Sequence, residues 1–267
     1  MAVQWNKVTW YSKLLAIVLF VLTFYIGFCL GSLWGEQKGE LKTAVVIPKV
    51  TVPEKVTPLS IDSQDIKDTN FTGKIATVSG SGPLASSARD YINKRVGEFR
   101  TQANTEVPPM QQKFGAGSPP ATYEIDITAT DVKSSKTESV VISVYSYTGG
   151  ANGNSVYKVI TASIPGGKIL TLAGVIKSAE QNAFTVFLQK KLNDWRPDGT
   201  STTAVFPDEV ASLKFSSFTN WSLDDKNLTI YFDQYYIGPG VLGEIAFPLP
   251  LAEVKDFLNP EYAPLSS

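Results

Sequence analysis

One uncharged apolar run constrains this chain more than any other feature of its sequence. Residues 14–34 read LLAIVLFVLTFYIGFCLGSLW, 21 residues without a charged side chain. An α-helix of about 20 apolar residues crosses the roughly 30 Å of hydrocarbon in a bilayer. Trp10, Tyr11 and Trp34 lie near the ends of the run, where interfacial aromatic residues are typical. The sequence therefore predicts one N-terminal transmembrane helix.

A cleaved signal peptide, a lipoprotein signal and a buried core helix are the alternatives for this run. A signal peptide has an apolar core of only about 7 to 15 residues, and residues 31–34 make a poor cleavage site. A lipoprotein needs a small residue before its cysteine, but Phe28 precedes Cys29. A helix buried in a globular core is not normally apolar on all sides over this length. We therefore expect an uncleaved single-pass anchor, with residues 1–13 as a short cytoplasmic tail and the C-terminal part outside the cell membrane.

Residues 35–70 have the composition of a stalk. Pro48, Pro53 and Pro58 recur every five residues among Val, Thr and Lys. Proline removes a backbone donor and favours extended chain. We expect this stretch to hold an extracytoplasmic domain, residues 71–267, away from the bilayer, with a possible sub-boundary near residue 135.

The domain itself alternates between strand-like and helix-like patterns. Apolar residues alternate at 71–80, 123–132, 138–148, 155–164, 212–223 and 227–237. Helical spacing begins at Ser87, with Asp90 as its capping partner, and again at Ser178. Pro108 and Pro109 are expected in a loop. Strand runs joined by short turns predict an α+β fold, with antiparallel sheets and two to three packed helices rather than βαβ units.

Two absences limit the chemistry that this chain can perform. It has no histidine, and its one cysteine, Cys29, lies inside the apolar run. Ser-His-Asp and Cys-His catalysis and most zinc sites are therefore excluded. The net charge of −1 argues against nucleic acid, because phosphate binding needs clustered Lys and Arg. We expect no enzyme activity, no metal and no cofactor.

A pair of carboxylates is the remaining candidate for catalysis. Two acidic side chains hydrolyse glycosides without histidine, and Asp233 and Glu244 are predicted on neighbouring strands. The more ordinary interpretation is that both are solvated positions at the sheet surface. The acidic clusters at 194–199 and 224–227 lack the twelve-residue calcium loop ending in Glu, and we interpret them as turns.

A glycine-rich stretch, SYTGGANGNSVY at residues 146–157, is the most unusual motif of the domain. No Lys follows a glycine there, and the next element is a strand, so it is not a nucleotide loop. Either its glycines supply positive φ angles for an irregular crossing, or it forms a contact surface with the loop at 237–243. The second hypothesis gives these candidate ligand contacts: Tyr147, Gly149, Gly150, Asn152, Asn154, Tyr236 and Pro239.

Two segments of the domain carry a resemblance to a known family. These are YSYTGGANGN at 145–154 and LTIYFDQYYIGPGVLGEIAFP at 228–248. They resemble the extracytoplasmic region of the lysozyme-sensing anti-sigma factor RsiV. The front half is similar to the module that precedes the catalytic domain in the peptidoglycan deacetylase PdaC. Asn152 stands where the family usually has His, and Gly240 where an aromatic residue often follows the proline.

The resemblance implies a binding module, since the RsiV region recognises lysozyme. About 13 residues precede the apolar run, too few for a packed sigma-factor-binding domain, so a sigma factor is not expected as a partner. We expect a membrane-anchored extracytoplasmic binding or sensing module of the bacterial cell envelope, with peptidoglycan glycan or a lysozyme-like protein as ligand. A tethered carboxylate-dependent hydrolase and a structural spacer without a ligand are the alternatives.

Overall fold

The computed structural model describes residues 57–197 and 204–264. The predicted cytoplasmic tail, the transmembrane helix at 14–34 and most of the predicted stalk lie outside these ranges. Within them, no helix is both long enough and apolar enough to cross a bilayer. Residues Pro53–Ser267 form one compact unit, which combines helices and sheets in a mixed α+β fold.

A five-stranded sheet forms the first half of this unit. Its strands follow one another in chain order: β1 Ser60–Lys67, β2 Phe71–Ser79, β3 Tyr123–Lys133, β4 Thr137–Thr148 and β5 Asn154–Ser163. The alternation in the sequence therefore predicted β2 to β5 to within one or two residues. β1 is an edge strand that pairs antiparallel with β2. It falls within the stretch interpreted as stalk, so the folded region begins before Phe71.

One long helix, α1 at Pro83–Phe114, connects β2 to β3 and makes this pair parallel. The other three pairs of the sheet are antiparallel. The prediction of antiparallel sheets without a βαβ unit is therefore wrong at this connection. The long helix returns the chain to the end of the sheet where β2 begins, since Phe71 pairs with Tyr123, and Pro108 and Pro109 lie inside its last turns rather than in a loop. The residue before them, Val107, is fully buried and fixes that part of the helix against the sheet.

The first hydrophobic core lies between α1 and one face of this sheet. Residues Val140, Ile142 and Val144 of β4 point towards the helix because side chains alternate along a strand. On α1, the buried residues are Leu84, Ala85, Ala88, Ile92, Phe99, Ala103 and Val107. Phe99 packs edge-on against Phe71, with ring centroids 5.3 Å apart. The helix begins at Pro83, four residues before the predicted Ser87, with no side-chain cap.

A second core belongs to the C-terminal half. It contains residues of an antiparallel sheet, β6 Trp221–Leu223, β7 Asn227–Phe232 and β8 Ile245–Pro250. Four helices also contribute residues to it: α2 Leu172–Val175, α3 Gln181–Asn193, α4 Pro207–Ser212 and α5 Leu251–Val254. Its centre is Phe184, fully buried against the rings of Phe215, Phe218 and Phe257. Along the chain, the first core ends with Ala162 in β5 and the second core begins with Leu172 in α2. Residue 135, the predicted sub-boundary, instead lies in the turn between β3 and β4.

The C-terminal strands are shorter than the sequence pattern suggests. Of the predicted strand at 212–223, only β6 is extended, and residues Phe215–Ser217 form a 3-10 turn. The predicted strand at 227–237 ends at Phe232. The described residues contain five α-helices, of which only α1 and α3 exceed six residues. The expectation of two to three packed helices therefore accounts for α1 and α3 but not for all of the short helices.

Two glycines give a paired test of the parallel strand contact. A Cβ at Gly73 would lie 1.8 Å from the Ile125 carbonyl oxygen, whereas a Cβ at Gly97 on α1 meets nothing within 4 Å. Gly73→Ala is expected to lower the free energy of unfolding by about 3 kcal/mol because backbone must move. Gly97→Ala is expected to raise it by about 0.5 to 1 kcal/mol through helix propensity. Urea denaturation of both variants measures this, and a neutral Gly73→Ala would contradict the register of β2 and β3.

Candidate functional site

The outer edge of β5 is closed by side chains instead of by a sixth strand. The N–H groups of Ser155, Tyr157 and Val159 point away from β4. They donate respectively to Gln234 Oε1 at 3.0 Å, Asp233 Oδ1 at 2.7 Å and Asn220 Oδ1 at 3.0 Å. Two bonds run in the opposite direction, from the Gln234 N–H to the Ser155 carbonyl and from Asn220 Nδ2 to the Tyr157 carbonyl. Side chains of the C-terminal half thus satisfy an edge that would otherwise be open.

Gln234 joins the two loops that the sequence analysis singled out. Besides its bonds to Ser155, its Nε2 donates to the Gly240 carbonyl at 2.8 Å. Ser155 follows directly on the glycine-rich stretch, and Gly240 lies within the loop at 237–243. The two loops therefore adjoin at the same end of β5, and one amide side chain fixes their separation.

The two predicted carboxylates lie beside this junction. Phe232 pairs with Ile245 at the end of the β7–β8 ladder, so Asp233 and Glu244 are the next residues of the two strands. Burial raises the pKa of both carboxyl groups, and the negative charge of Asp233 raises that of Glu244 further. Both side chains are half-buried, so they are not the solvated surface positions of the ordinary interpretation.

Each carboxylate uses an oxygen to bind the five-stranded sheet. Asp233 accepts from the Tyr157 N–H, as above, and Glu244 Oε2 accepts from the Ser143 hydroxyl at 2.6 Å. Among the described residues, the buried Glu244 Oε1 has no hydrogen-bond partner. This geometry favours a joining role, since a catalytic pair needs both carboxyl groups facing a substrate bond.

Tyrosines surround these carboxylates. Tyr157 packs edge-on against Tyr231, with ring centroids 5.0 Å apart. Burial, with the nearby charge of Glu244, raises the pKa of Tyr157 to about 12. Burial also raises the pKa of Tyr231, whose hydroxyl lies 2.9 Å from the Ser222 hydroxyl. Both phenols therefore stay protonated at physiological pH.

Two of the three glycines in the glycine-rich stretch have a clear conformational reason. Gly149 has φ 81°, and a Cβ there would lie 2.7 Å from the Pro120 carbonyl oxygen. Gly153 lacks a positive φ, but its Cβ would overlap the Tyr145 ring. Gly150 has neither constraint, so the positive φ angle predicted for all three glycines is present only at Gly149. Gly150 and Asn152 are exposed.

The remaining candidate contacts fall into two groups. Tyr147 is half-buried on β4, and Asn154 is exposed at the start of β5. Tyr236 is 46% exposed, with its ring stacked on Phe232, and Pro239 precedes a 3-10 turn at Gly240–Leu242. Within the described part of the chain, no hydrogen bond or ring contact joins the first group directly to the second. Their link runs through Ser155 and Gln234.

Two exposed residues of the segment after Gln234 are not among the ligand contacts predicted from the sequence. Tyr235 is 54% exposed and has a positive φ of 67°. Its ring packs directly against Gly240, where an added Cβ would lie only 2.0 Å from a ring carbon. Val241 is 91% exposed. The alternating pattern predicts a strand through Tyr235, but the chain leaves the sheet after Phe232. The Gly238-Pro239-Gly240 sequence was the available signal for that turn. No sequence signal marks Gln234 or Asn220 as edge-capping residues.

Residues 173–252 match the model of the family described as protein of unknown function, DUF3298. The match covers the C-terminal half of the domain, including Gln234 and the loop that follows it. Within the described residues, no group of three or more acidic or cysteine side chains is arranged to hold a metal ion.

Solved structures show the same fold. A DUF3298 family member from Bacteroides fragilis NCTC 9343 has a TM-score of 0.51 and 18% identity, over 77% of this chain and 95% of that one. A DUF3298 family protein from Pseudomonas aeruginosa PAO1 has a TM-score of 0.51 and 15% identity, over 79% and 98%. At these identities the likeness concerns the fold alone.

One similar protein has a described activity. The chain is 24% identical over 131 residues to the peptidoglycan-N-acetylmuramic acid deacetylase PdaC of Bacillus subtilis strain 168. The match spans 48% of this chain but only 27% of the deacetylase. The predicted likeness to PdaC is therefore confirmed over 131 residues, while the likeness to RsiV stays a prediction.

Removing the junction glutamine tests its role in stability. Gln234→Ala leaves the Ser155 N–H and the Gly240 carbonyl without partners, so we expect the free energy of unfolding to fall by about 1 to 3 kcal/mol. Gln112→Ala, at an exposed position on α1, is the matched control and should change it by less than about 0.5 kcal/mol. Equal changes in the free energy of unfolding for the two variants, measured by urea denaturation, would contradict a stabilising role of Gln234.

The raised carboxyl pKa values predict a pH dependence of stability. The folded state holds the Glu244 proton more tightly than the unfolded chain, so its stabilising effect is complete at low pH. It is lost as the pH rises from the ordinary carboxyl range through the raised value. Glu244→Gln lacks this titration. We expect its stability relative to wild type to be highest near pH 7 and to decline towards pH 4, as measured by denaturation across that range. A pH-independent difference would contradict the raised pKa.

Proposed function

We propose that this chain is an extracytoplasmic binding module of the bacterial cell envelope that binds wall glycan through its aromatic loop, defined as residues 233–243. Residues 14–34 anchor it in the cell membrane as a single-pass helix. Residues 1–13 lie in the cytoplasm, and the DUF3298-like domain lies outside.

The observation that carries this proposal is the exposure of three large side chains on one fixed loop. Tyr235, Tyr236 and Val241 are 54%, 46% and 91% exposed. The loop is not free to move independently, since Gln234 binds both β5 and the Gly240 carbonyl. Rigid exposed aromatic rings present contact area at low entropic cost and often mark ligand surfaces.

The class of ligand follows from PdaC. Its name describes an enzyme acting on N-acetylmuramic acid of peptidoglycan, and this chain matches about a quarter of its length. A module shared with a wall enzyme is best explained by a shared need to bind the wall. Sugar rings offer flat apolar faces to aromatic side chains, which suits the aromatic loop. A lysozyme-like protein is the competing ligand.

The alternative of a carboxylate-dependent hydrolase rests on Asp233 and Glu244. Their raised pKa values favour it, because a general acid must hold its proton near neutral pH. Their bonds to Tyr157 and Ser143 count against it. It predicts that wild type releases reducing sugar ends from peptidoglycan and that Glu244→Gln does not, whereas a binding module releases none.

A retention assay on insoluble peptidoglycan tests the binding proposal. The protein used is residues 53–267, since a fragment starting at Phe71 would lack β1. The double variant Tyr236→Ala, Val241→Ser is expected to lose at least about tenfold in affinity. The control, Phe114→Ala with Val186→Ser, removes side chains that are 49% and 65% exposed elsewhere on the molecule and should bind like wild type.

Three results would overturn the proposal in different ways. Retention on immobilised lysozyme but not on peptidoglycan would assign the loop to a protein ligand. Retention on neither would favour a spacer. Equal losses in the loop variant and the control would place the binding surface elsewhere. Circular dichroism melting curves confirm that each variant is folded.

A further inference from the structure

A gap remains in the capped edge of β5, next to the Asn220 contact. The N–H groups of Ser155, Tyr157 and Val159 point away from β4. Because the direction of the N–H groups alternates from residue to residue along a strand, the Thr161 N–H also points away from β4. The Thr161 carbonyl confirms this direction, since it accepts from the Leu170 N–H at 2.8 Å. Within residues 57–197 and 204–264, however, nothing accepts the Thr161 N–H, and nothing donates to the Val159 carbonyl.

Val159 and Thr161 both belong to the lining of a groove of about 440 Å³. Its walls come from β5, from the segment leading into α2, and from the chain before β6. The larger apolar side chains among its lining residues include Ile169, Leu170, Leu172, Phe215, Phe218 and Trp221. Val159 and Thr161 are only 6% and 3% exposed. Buried main-chain groups are nearly always paired, so an unpaired donor and acceptor beside a groove indicate that another molecule completes them.

The spacing of the two groups selects the chemistry of that molecule. A carbonyl and an N–H two residues apart on the same edge are bridged by one residue of a parallel strand, which donates to the first and accepts from the second. A single trans amide group, such as a sugar acetamido group, points its N–H and C=O in opposite directions and does not bridge them. One extended peptide residue does.

We infer that this groove binds an extended peptide with an apolar side chain. One peptide residue pairs with the Val159 carbonyl and the Thr161 N–H, and its own apolar side chain enters the groove, as in strand addition to a sheet edge. Only one residue of the peptide can pair with this edge. Asn220 occupies the edge on one side, and Leu170 already binds the Thr161 carbonyl on the other. This site is separate from the aromatic loop.

NMR titration of labelled residues 53–267 tests the inference. These residues form one compact unit with both cores, so the fragment is expected to fold independently. The probe is the blocked tripeptide acetyl-Ala-Val-Ala-amide. We expect the Thr161 amide resonance to move downfield on addition. The same tripeptide with an N-methyl group on the central valine cannot donate to the Val159 carbonyl and should bind about fivefold more weakly.

A groove-filling variant supplies the second measurement. Ala173→Trp lies at an exposed position of the groove lining and should abolish the peptide-induced shift. Ala211→Trp, exposed on α4 away from the groove, should leave it unchanged. An unmoved Thr161 resonance, equal affinity for the N-methyl peptide, or a shift caused instead by N-acetylglucosamine would each overturn the inference. None of these outcomes decides the glycan binding proposed for the aromatic loop.

Discussion

The pairing of β5 with the side chains of Asn220, Asp233 and Gln234 is the interaction on which the rest of the structure depends. A five-stranded sheet with an open edge exposes a row of unpaired peptide groups, which is a site for aggregation. Here the C-terminal half supplies acceptors at the spacing of a strand, although its own chain does not run as one. The same bonds attach the second core to the first and fix where the aromatic loop lies.

This arrangement explains why polar groups are concentrated where two hydrophobic cores meet. The Ser143, Tyr157 and Glu244 side chains lie on the sheet face opposite α1, beside the edge bonds. Burial there keeps the tyrosines protonated and raises the carboxyl pKa values. These shifts follow from joining the halves through hydrogen bonds, so a raised pKa is not by itself a sign of catalysis in this protein.

Local pattern predicted the first half of the fold well and the second half poorly. Period-two alternation located β2 to β5, because each of these strands has one face on the first core. It failed for α1, where Pro108 and Pro109 end the local helix signal but Val107 and Ala103 stay packed on the sheet. It also failed after Phe232, because Tyr235 and Tyr236 continue an aromatic run while the backbone turns. The site depends on contacts between residues about 60 to 80 positions apart, such as Ser155 with Gln234, which no local pattern reveals.

Native-state hydrogen exchange of wild-type residues 53–267 tests the central claim most directly. If side chains close the edge of β5, the amides of Ser155, Tyr157 and Val159 should exchange as slowly as those in the interior of β3 and β4. The Thr161 amide, which has no partner at the same edge, should exchange much faster than its three neighbours. Fast exchange at all four positions would show that the edge is open and would contradict the account.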